Sequence, residues 1–258
     1  MTTLSSAADV LRCYSADRQD LTVTEVSRLL AMPKSNASRL LRAMAGCGLL
    51  ETVGRSKRYR PGLLLNEAGA VYRAASPLTG RADEVVARIA AASGHTGYVS
   101  LRVGLDVVAV TDHPGTHALR VASSIGRRLG AGASATGRSL LARASDHDIR
   151  ALFTPFPRPP SQNAPGDVTE LLRRVERVRR QGFAVALDEA NRGVGAVAVA
   201  VGDPLAASEV ALCVTFPAAM LSADERIALA RELHEGAAAI AAQTGDRSFA
   251  PFRPDAAA

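Results

Sequence analysis

The sequence contains no tryptophan, few aromatic residues and three cysteines in a chain of 258 residues. Cys13, Cys47 and Cys213 are odd in number and lie far apart, so they indicate a reducing compartment and exclude a disulfide framework or a zinc cluster. The longest nearly unbroken apolar run, Gly193–Val201, is far shorter than the roughly 20 residues of a membrane span. The N-terminus also lacks a basic region that leads into an apolar stretch. These absences predict a globular, cytoplasmic protein without a membrane anchor.

Positive charge is concentrated in the first quarter of the chain. Residues 1–61 contain 10 Lys and Arg against 5 Asp and Glu, whereas residues 62–258 contain 21 against 20. Such a local field attracts a polyanion, and the release of counterions from nucleic acid favours binding. A solvated basic face on an ordinary domain explains the same count. Charge alone therefore leaves both interpretations open.

Two short helices joined by a tight turn follow a first amphipathic helix. Thr22 and Glu25 have the spacing of a capping box, which satisfies backbone N–H groups at the start of the second helix. Pro33 marks the start of a third helix, because its missing N–H would have no partner there. This third helix is predicted at about residues 33–45, with an apolar stripe at helical spacing. The stripe consists of Ala37, Leu40, Leu41 and Met44.

The exposed start and outer face of this third helix are polar and cationic. A helix of this kind fits the major groove of DNA, where Arg recognises guanine and Asn recognises adenine through paired hydrogen bonds. Ser and Lys side chains can hold phosphates beside them. A three-helix packing module without nucleic acid is the alternative. The candidate DNA contacts on this helix are Lys34, Ser35, Asn36, Ser38, Arg39 and Arg42.

A hairpin with a basic tip is predicted at about residues 50–60, directly after the third helix. Leu49–Val53 and Arg58–Arg60 have strand character, and the Gly54 turn lies between them. Basic residues on such a wing lie along a DNA backbone or enter a minor groove, beside the recognition helix. The candidate contacts on the wing are Arg55, Lys57 and Arg58.

The remaining two thirds of the chain predict an α+β domain. Its strands and helices come in groups, which favours a mainly antiparallel sheet over a doubly wound one. The predicted strands are Gly97–Val103, Asp106–Thr111, Leu119–Ile125, Phe183–Leu187, Val194–Val201 and Glu209–Phe216. The predicted divisions are a winged helix-turn-helix domain at 1–61, a linker helix at 62–78, an effector-binding domain at 79–246 and a flexible tail at 247–258.

Several segments together resemble the IclR-type bacterial transcription regulators. Thr22–Met44, Gly48–Glu51 and Arg58–Gly62 are similar to the winged helix-turn-helix of that family. Ala133–Ala142 and Ala211–Pro217 are similar to its effector-binding domain, and the likeness extends through most of the chain. The resemblance implies a ligand-responsive, DNA-binding regulator, not an enzyme. It also implies a GAF-like sheet around a pocket for a small organic molecule, with no cofactor.

The resemblance also implies where that pocket lies. Glyoxylate-type members carry polar groups at the positions that align with Ala186, Ala196 and Cys213. Those three positions have lost their polar groups in this chain, and Thr215 stays clearly polar, which predicts a larger cavity and an effector larger or less polar than glyoxylate. The candidate effector-binding residues are Ala135, Thr136, Gly137, Ala186, Ala196, Cys213 and Thr215.

Homodimers or tetramers follow from the mechanism of recognition. One recognition helix contacts only a few base pairs, whereas two helices related by a two-fold axis reach both half-sites of a palindromic operator. A small molecule in the effector domain then changes the spacing of the two helices through the linker helix. The sequence leaves open whether the regulator represses or activates.

An enzyme acting on small acyl or nucleotide substrates, with an N-terminal assembly module, is the alternative from another class. Gly132–Ser139 is close to a phosphate-binding loop, but Arg138 replaces the lysine and the preceding residues do not have the character of a buried strand. Gly193–Ala198 imitates a dinucleotide fingerprint, yet it has strand character where that motif must open a helix. His113 and His117 flank a Pro-Gly turn, which favours solvated loop residues over a metal site.

Overall fold

A computed structural model describes residues 2–15, 18–54, 56–122 and 125–254 of the chain. Internal contacts divide the chain into two units, Met1–Ser76 and Pro77–Ala258. Each unit has a core of its own. Within the described residues, no helix has both the length and the apolar character that a membrane crossing requires.

The N-terminal unit has the element order of a helix-turn-helix followed by a wing. Its three strands form an antiparallel sheet in the order β1-β3-β2, so β2 and β3 are the predicted hairpin and β1 pairs with the far side of β3. Its elements are α1 (Thr3–Arg12), β1 (Leu21–Thr22), α2 (Val23–Leu29), α3 (Lys34–Gly46), β2 (Leu50–Thr52), β3 (Arg58–Pro61) and α4 (Leu63–Ala74).

Local sequence signals explain where α2 and α3 begin. The predicted capping box is present: the Glu25 backbone N–H donates to Thr22 Oγ1 at 3.2 Å, and the Thr22 N–H donates to Glu25 Oε2 at 2.7 Å. Pro33 occupies the N-cap of α3, and its φ of −57° is close to the φ of a helical residue. The apolar stripe of α3 is buried in the core of the unit, as its spacing predicts. The fully buried members are Ala37, Leu41 and Met44.

The predicted linker helix at 62–78 is instead parts of two helices. The first, α4, ends at Ala74, and the next begins at Pro77. Proline ends the first helix but is well accommodated in the first turn of the next, because its missing N–H has no partner there. Within its own span, α4 buries no residue.

The C-terminal unit is built on a six-stranded sheet in the order β6-β5-β4-β9-β8-β7, and every neighbouring pair is antiparallel. The α+β prediction is therefore confirmed. Its elements are α5 (Pro77–Ser93), β4 (Thr96–Val103), β5 (Asp106–Ala109), β6 (Arg128–Gly130), α6 (Ala135–Leu141), α7 (Asp146–Leu152), α8 (Val168–Gln181), β7 (Ala184–Leu187), β8 (Val194–Asp203), β9 (Ser208–Pro217) and α9 (Ala223–Thr244).

The two faces of this sheet differ in side-chain size. Along β8, Val197 and Val199 pack in the cluster that contains α5 and α9, whereas Ala196 and Ala198 pack on the opposite face with Ala135 of α6. The alternation follows from the two-residue period of a strand. Small side chains on the second face bring α6 close to the sheet.

Two predictions are wrong where the structure describes the residues. Leu119–Ile125 does not form a strand in its described part, and the edge strand is Arg128–Gly130 instead. Residues 247–254 are not a free tail, because Phe249 and Phe252 pack against the main core. The Arg253 N–H also donates to the Gln181 carbonyl at 3.1 Å. The last four residues lie outside the described part.

Candidate nucleic-acid interface and effector cavity

The polar face of α3 is open to solvent. Because Ala37, Leu41 and Met44 are directed into the core, the predicted contacts lie on the outer side and at the start of the helix. Ser38 is half-buried. The exposed members of this set are Lys34, Ser35, Asn36, Arg39 and Arg42.

Asn36 and Arg39 interact with each other on this face. The Arg39 guanidinium Nη2 donates to Asn36 Oδ1 at 2.7 Å, which orients the amide. The amide nitrogen of Asn36 and the remaining N–H groups of Arg39 stay available as donors. Arg42 is also held locally, since its Nε donates to the Ser38 carbonyl at 3.3 Å. The face therefore presents oriented donors that can reach base edges or phosphates.

The three basic residues of the wing have different surroundings. Lys57 is exposed and forms no ion pair with the described residues. Arg58 donates from Nε to Asp20 Oδ1 at 2.5 Å, and its Nη2 lies 3.4 Å from Glu25 Oε2. Arg55 lies outside the described residues. The sequence predicts all three as DNA contacts, but the structure engages Arg58 inside the unit.

Arg58 thus connects the wing with the start of α2. The pKa of the Glu25 carboxyl is held below its usual value, first by the Thr22 backbone and side chain and then by Arg58. The hydrogen bond to Asp20 is the largest cause that raises the pKa of the Arg58 guanidinium. Sequence reasoning missed this role because Asp20 and Arg58 lie far apart along the chain. The pairing of β1 with β3 brings them together.

The small-residue face of the C-terminal sheet contains a cavity of about 30 Å³. A second space of about 20 Å³ shares Tyr98, Leu129 and Thr215 with it. Five of the seven candidate effector residues line the first cavity. They are Ala135, Thr136, Ala186, Ala196 and Thr215.

The other two candidates, Gly137 and Cys213, have structural positions. A Cβ atom at Gly137 would come within 2.1 Å of the Ala131 carbonyl oxygen, so a glycine permits the close packing of α6. Cys213 is fully buried, and burial raises the pKa of its thiol to about 11. At neutral pH the Cys213 side chain is therefore an uncharged core group.

The cavity combines apolar walls with hydroxyl groups, and Glu189 and Asn191 also line it. Thr136 Oγ1 is buried and interacts with the Tyr98 hydroxyl and the Cys213 thiol. Burial raises the pKa of the Tyr98 phenol well above its ordinary value, so this group stays protonated. Arg127 lines the adjoining space, where its Nη1 donates to the Ala122 carbonyl at 2.8 Å. These groups suit a mainly apolar molecule that carries a few polar atoms.

The expected enlargement of the cavity is not present in this conformation. A volume of about 30 Å³ has room for only a few water molecules, because one water needs roughly 10–15 Å³ of such space. Tyr98 and Leu129 also line the cavity, so large side chains occupy space beside Ala186 and Ala196. An organic ligand therefore requires side chains or loops of the cavity to move.

Arg138 lies at the end of the segment that resembles a phosphate-binding loop, and it is part of a buried ion pair. Its Nη1 donates to Glu189 Oε2 at 2.5 Å and its Nη2 to Glu189 Oε1 at 2.9 Å. It also donates to the Val185 carbonyl at 2.7 Å. Arg138 therefore ties α6 to β7 and to the loop that follows it. Among the described residues, no group of three or more His, Cys, Asp or Glu side chains could hold a metal ion.

Comparisons with known families match both units. A family model described as the IclR helix-turn-helix domain matches residues 3–54. A second, described as the bacterial transcriptional regulator IclR C-terminal, matches residues 72–242. The HTH-type transcriptional regulator KdgR of Dickeya chrysanthemi is 27% identical over 254 residues, which cover 96% of this chain and 83% of that protein.

Solved structures share the fold. An IclR transcriptional regulator from Alicyclobacillus acidocaldarius has a TM-score of 0.83 at 24% identity, with 94% of this chain and 98% of that chain covered. An IclR homologue from Microbacterium hydrocarbonoxydans, complexed with 4-hydroxybenzoate, has a TM-score of 0.79 at 22% identity. Coverage in that comparison is 95% of this chain and 100% of the other.

Proposed function

The chain belongs to the IclR family of bacterial transcription regulators, and from that premise we propose that it controls a palindromic operator in the cytoplasm as a ligand-responsive homo-oligomer. The helix α3 enters the major groove, and the wing lies along the adjacent backbone or minor groove. A small organic effector in the C-terminal unit alters operator affinity. The assignment to a regulator family also removes the alternative of an enzyme with an assembly module.

The exposed polar face of α3 carries this proposal. Asn36 and Arg39 present oriented donors in the first turns of a helix whose other side is buried in the core. Lys34 and Ser35 lie at the N-terminal end of the same helix, where backbone N–H groups also favour phosphate. On the wing, Lys57 is assigned to DNA, whereas Arg58 is assigned to hold the wing in place.

The apolar surface of α4 supports assembly with a second copy. Leu63, Val71 and Tyr72 are 61%, 70% and 53% exposed in the single chain. Burial of such side chains is favourable, so a partner helix can cover them. Sedimentation of the V71S/Y72S variant tests this interface. A dimer that dissociates supports it, and an unchanged assembly contradicts it.

The effector is expected to be a mainly apolar small acid. The cavity offers Thr136 Oγ1 and the Tyr98 hydroxyl as uncharged hydrogen-bonding groups, with Arg127 nearby. The bound 4-hydroxybenzoate of the Microbacterium homologue supports the same class of molecule. Thermal-shift titrations with aromatic acids, glyoxylate and pyruvate test the proposal. A response to glyoxylate or pyruvate alone contradicts it.

Footprinting on the DNA upstream of the protein's own gene tests the operator proposal. Two protected half-sites with centres about 10 base pairs or a multiple apart are expected, because the recognition helices are related by a two-fold axis. An unrelated fragment of equal length is the control. Uniform protection of both fragments, or a single protected site, would contradict the proposal.

A further inference from the structure

A second cleft in the C-terminal unit is lined by arginines and meets the effector cavity at Glu189, which lines both. Its volume of about 660 Å³ is within the range of roughly 300–1,000 Å³ that small-molecule sites occupy. It lies between α8 and β7, with contributions from α6 and from the first turn of α9. The arginines of this cleft are Arg138, Arg173, Arg174, Arg177, Arg180 and Arg226.

The acids of the cleft neutralise only its inner side. Among the described residues, the lining contains six arginines and two acids, Glu170 and Glu189. The difference is a formal excess of four positive charges. Glu189 accepts hydrogen bonds from both Arg138 and Arg174. Glu170 forms an ion pair with Arg174. The outer arginines therefore set the charge that a ligand meets.

Arg173 and Arg177 form the outer rim on α8. Both are exposed, and neither forms an ion pair with any residue that the structure describes. Like charges four residues apart on a helix destabilise it. Arg180 continues the stripe three residues further on. An anion bound between the guanidinium groups of Arg173 and Arg177 would relieve their repulsion and accept paired hydrogen bonds from them.

Gln181 contributes an unsatisfied acceptor to the same lining. It is 3% exposed, and its Nε2 donates to the Phe183 carbonyl at 2.7 Å, which fixes the orientation of the amide. Its Oε1 is buried and has no partner among the described residues. Because this oxygen is closed to solvent, a ligand group can reach it only after the lining of the cleft moves.

We propose that this cleft binds a small polyanion with at least two phosphate or carboxylate groups. Guanidinium groups from three helices converge on a concave space, which suits a compact ligand better than a long nucleic acid. A second copy of the chain is disfavoured, because two surfaces with the same excess of positive charge repel each other. The proposal does not depend on the effector or on the operator.

Calorimetric titration of the full chain tests the proposal with pyrophosphate, citrate and ADP as probes. At least one probe is expected to bind the wild type with a Kd below about 1 mM. The R173Q/R177Q variant is expected to bind about tenfold more weakly or worse, because it loses charge-assisted hydrogen bonds. Pyrophosphate and ADP without citrate indicate a phosphorylated ligand, and citrate alone indicates a polycarboxylate.

The R88Q/R150Q variant is the matched control. It removes the same charge from two exposed helical positions outside the cleft, so its affinity for the probe is expected to equal that of the wild type. The proposal is overturned when no probe binds, or when both double variants bind equally well. A change in oligomeric state specific to R173Q/R177Q also overturns it, because the cleft is then an interface between copies.

Discussion

The arginines of α3 and the buried arginines of the C-terminal unit differ in their surroundings. In the N-terminal unit, Arg39 and Arg42 are exposed, and within the described residues each donates to a neighbour on its own helix alone. In the C-terminal unit, Arg138 is 2% exposed and is paired with Glu189. Arg143 is likewise paired with Glu209 and Asp246. The first pair is available to a polyanion, and the second pair holds the domain together.

The comparison shows that the surroundings of a charge decide its function. Regional counts identify the first 61 residues as basic, but they do not separate Lys57 from Arg58. The structure does so, because Arg58 contacts Asp20 and Glu25 whereas Lys57 has no ion pair in the described residues. Substitutions that remove the same charge at a paired and at an unpaired position therefore test this difference.

The largest effect is expected for R138A. Loss of one partner from a buried ion pair costs about 3–5 kcal/mol, because the other charge stays buried with too few partners. The free energy of unfolding of the C-terminal unit, measured by urea denaturation, is expected to fall by this amount. The control R150A changes an exposed arginine and is expected to stay within about 0.5 kcal/mol of the wild type. Equal stability of the two variants would argue against a structural role for Arg138.

A smaller effect is expected for N36A on operator binding. A paired contact with a base is worth about 1–3 kcal/mol of discrimination, so affinity for the operator falls about tenfold to a hundredfold. Fluorescence anisotropy with operator and with scrambled DNA measures the ratio. The affinity for scrambled DNA and the melting temperature are expected to stay unchanged, since Asn36 is exposed. An equal loss on both DNAs would mean that Asn36 contributes no sequence recognition.

Lys57 and Arg58 form a matched pair one residue apart. K57A is expected to reduce the salt dependence of DNA binding by about one phosphate contact and to leave stability unchanged. R58A is expected to lower the melting temperature of the N-terminal unit, because it removes the contacts of the wing with Asp20 and Glu25. Thermal unfolding and salt titrations of both variants provide the test. A stable R58A chain with a reduced salt slope would reverse the assignment.

The smallest expected effect is a difference in reactivity among the three cysteine thiols. Cys47 is exposed, whereas burial raises the pKa of Cys213 to about 11 and also raises that of Cys13. A raised pKa leaves little reactive thiolate at pH 8. Titration with an aromatic disulfide reagent is therefore expected to show one fast thiol in the native chain, and C47S removes it. A second fast thiol would show that one of the buried sites opens.

The helices and the wing of the N-terminal unit were predictable because their signals are local. The capping box at Thr22 and the apolar stripe of α3 each depend on residues within about two turns of one another. The strand character of the apolar run Gly193–Val201 likewise predicted a core strand, and most of this run lies in β8. The strand predicted at Leu119–Ile125 was wrong, because the prediction took its apolar residues to be buried. Leu119 is 67% exposed and Ile125 is 63% exposed.

Long-range packing was not predictable from the same patterns. The partners of Arg58 depend on the pairing of β1 with β3, and Phe249 and Phe252 reach the core only once the C-terminal sheet has formed. The cavity is small because Tyr98 and Leu129 line it beside the alanines. The roles of Asn36, Lys57 and Thr136 in binding remain predictions.

The assignment of DNA binding to α3 is tested by the operator affinity of two double variants that lose the same charge. R39Q/R42Q and R173Q/R177Q each remove two exposed helical arginines, one pair from each unit. Anisotropy titrations over a range of salt concentrations are expected to show weaker binding and a shallower salt slope for R39Q/R42Q, and wild-type behaviour for R173Q/R177Q. Unchanged binding by R39Q/R42Q, or an equal loss in both variants, would contradict the assignment of DNA binding to α3.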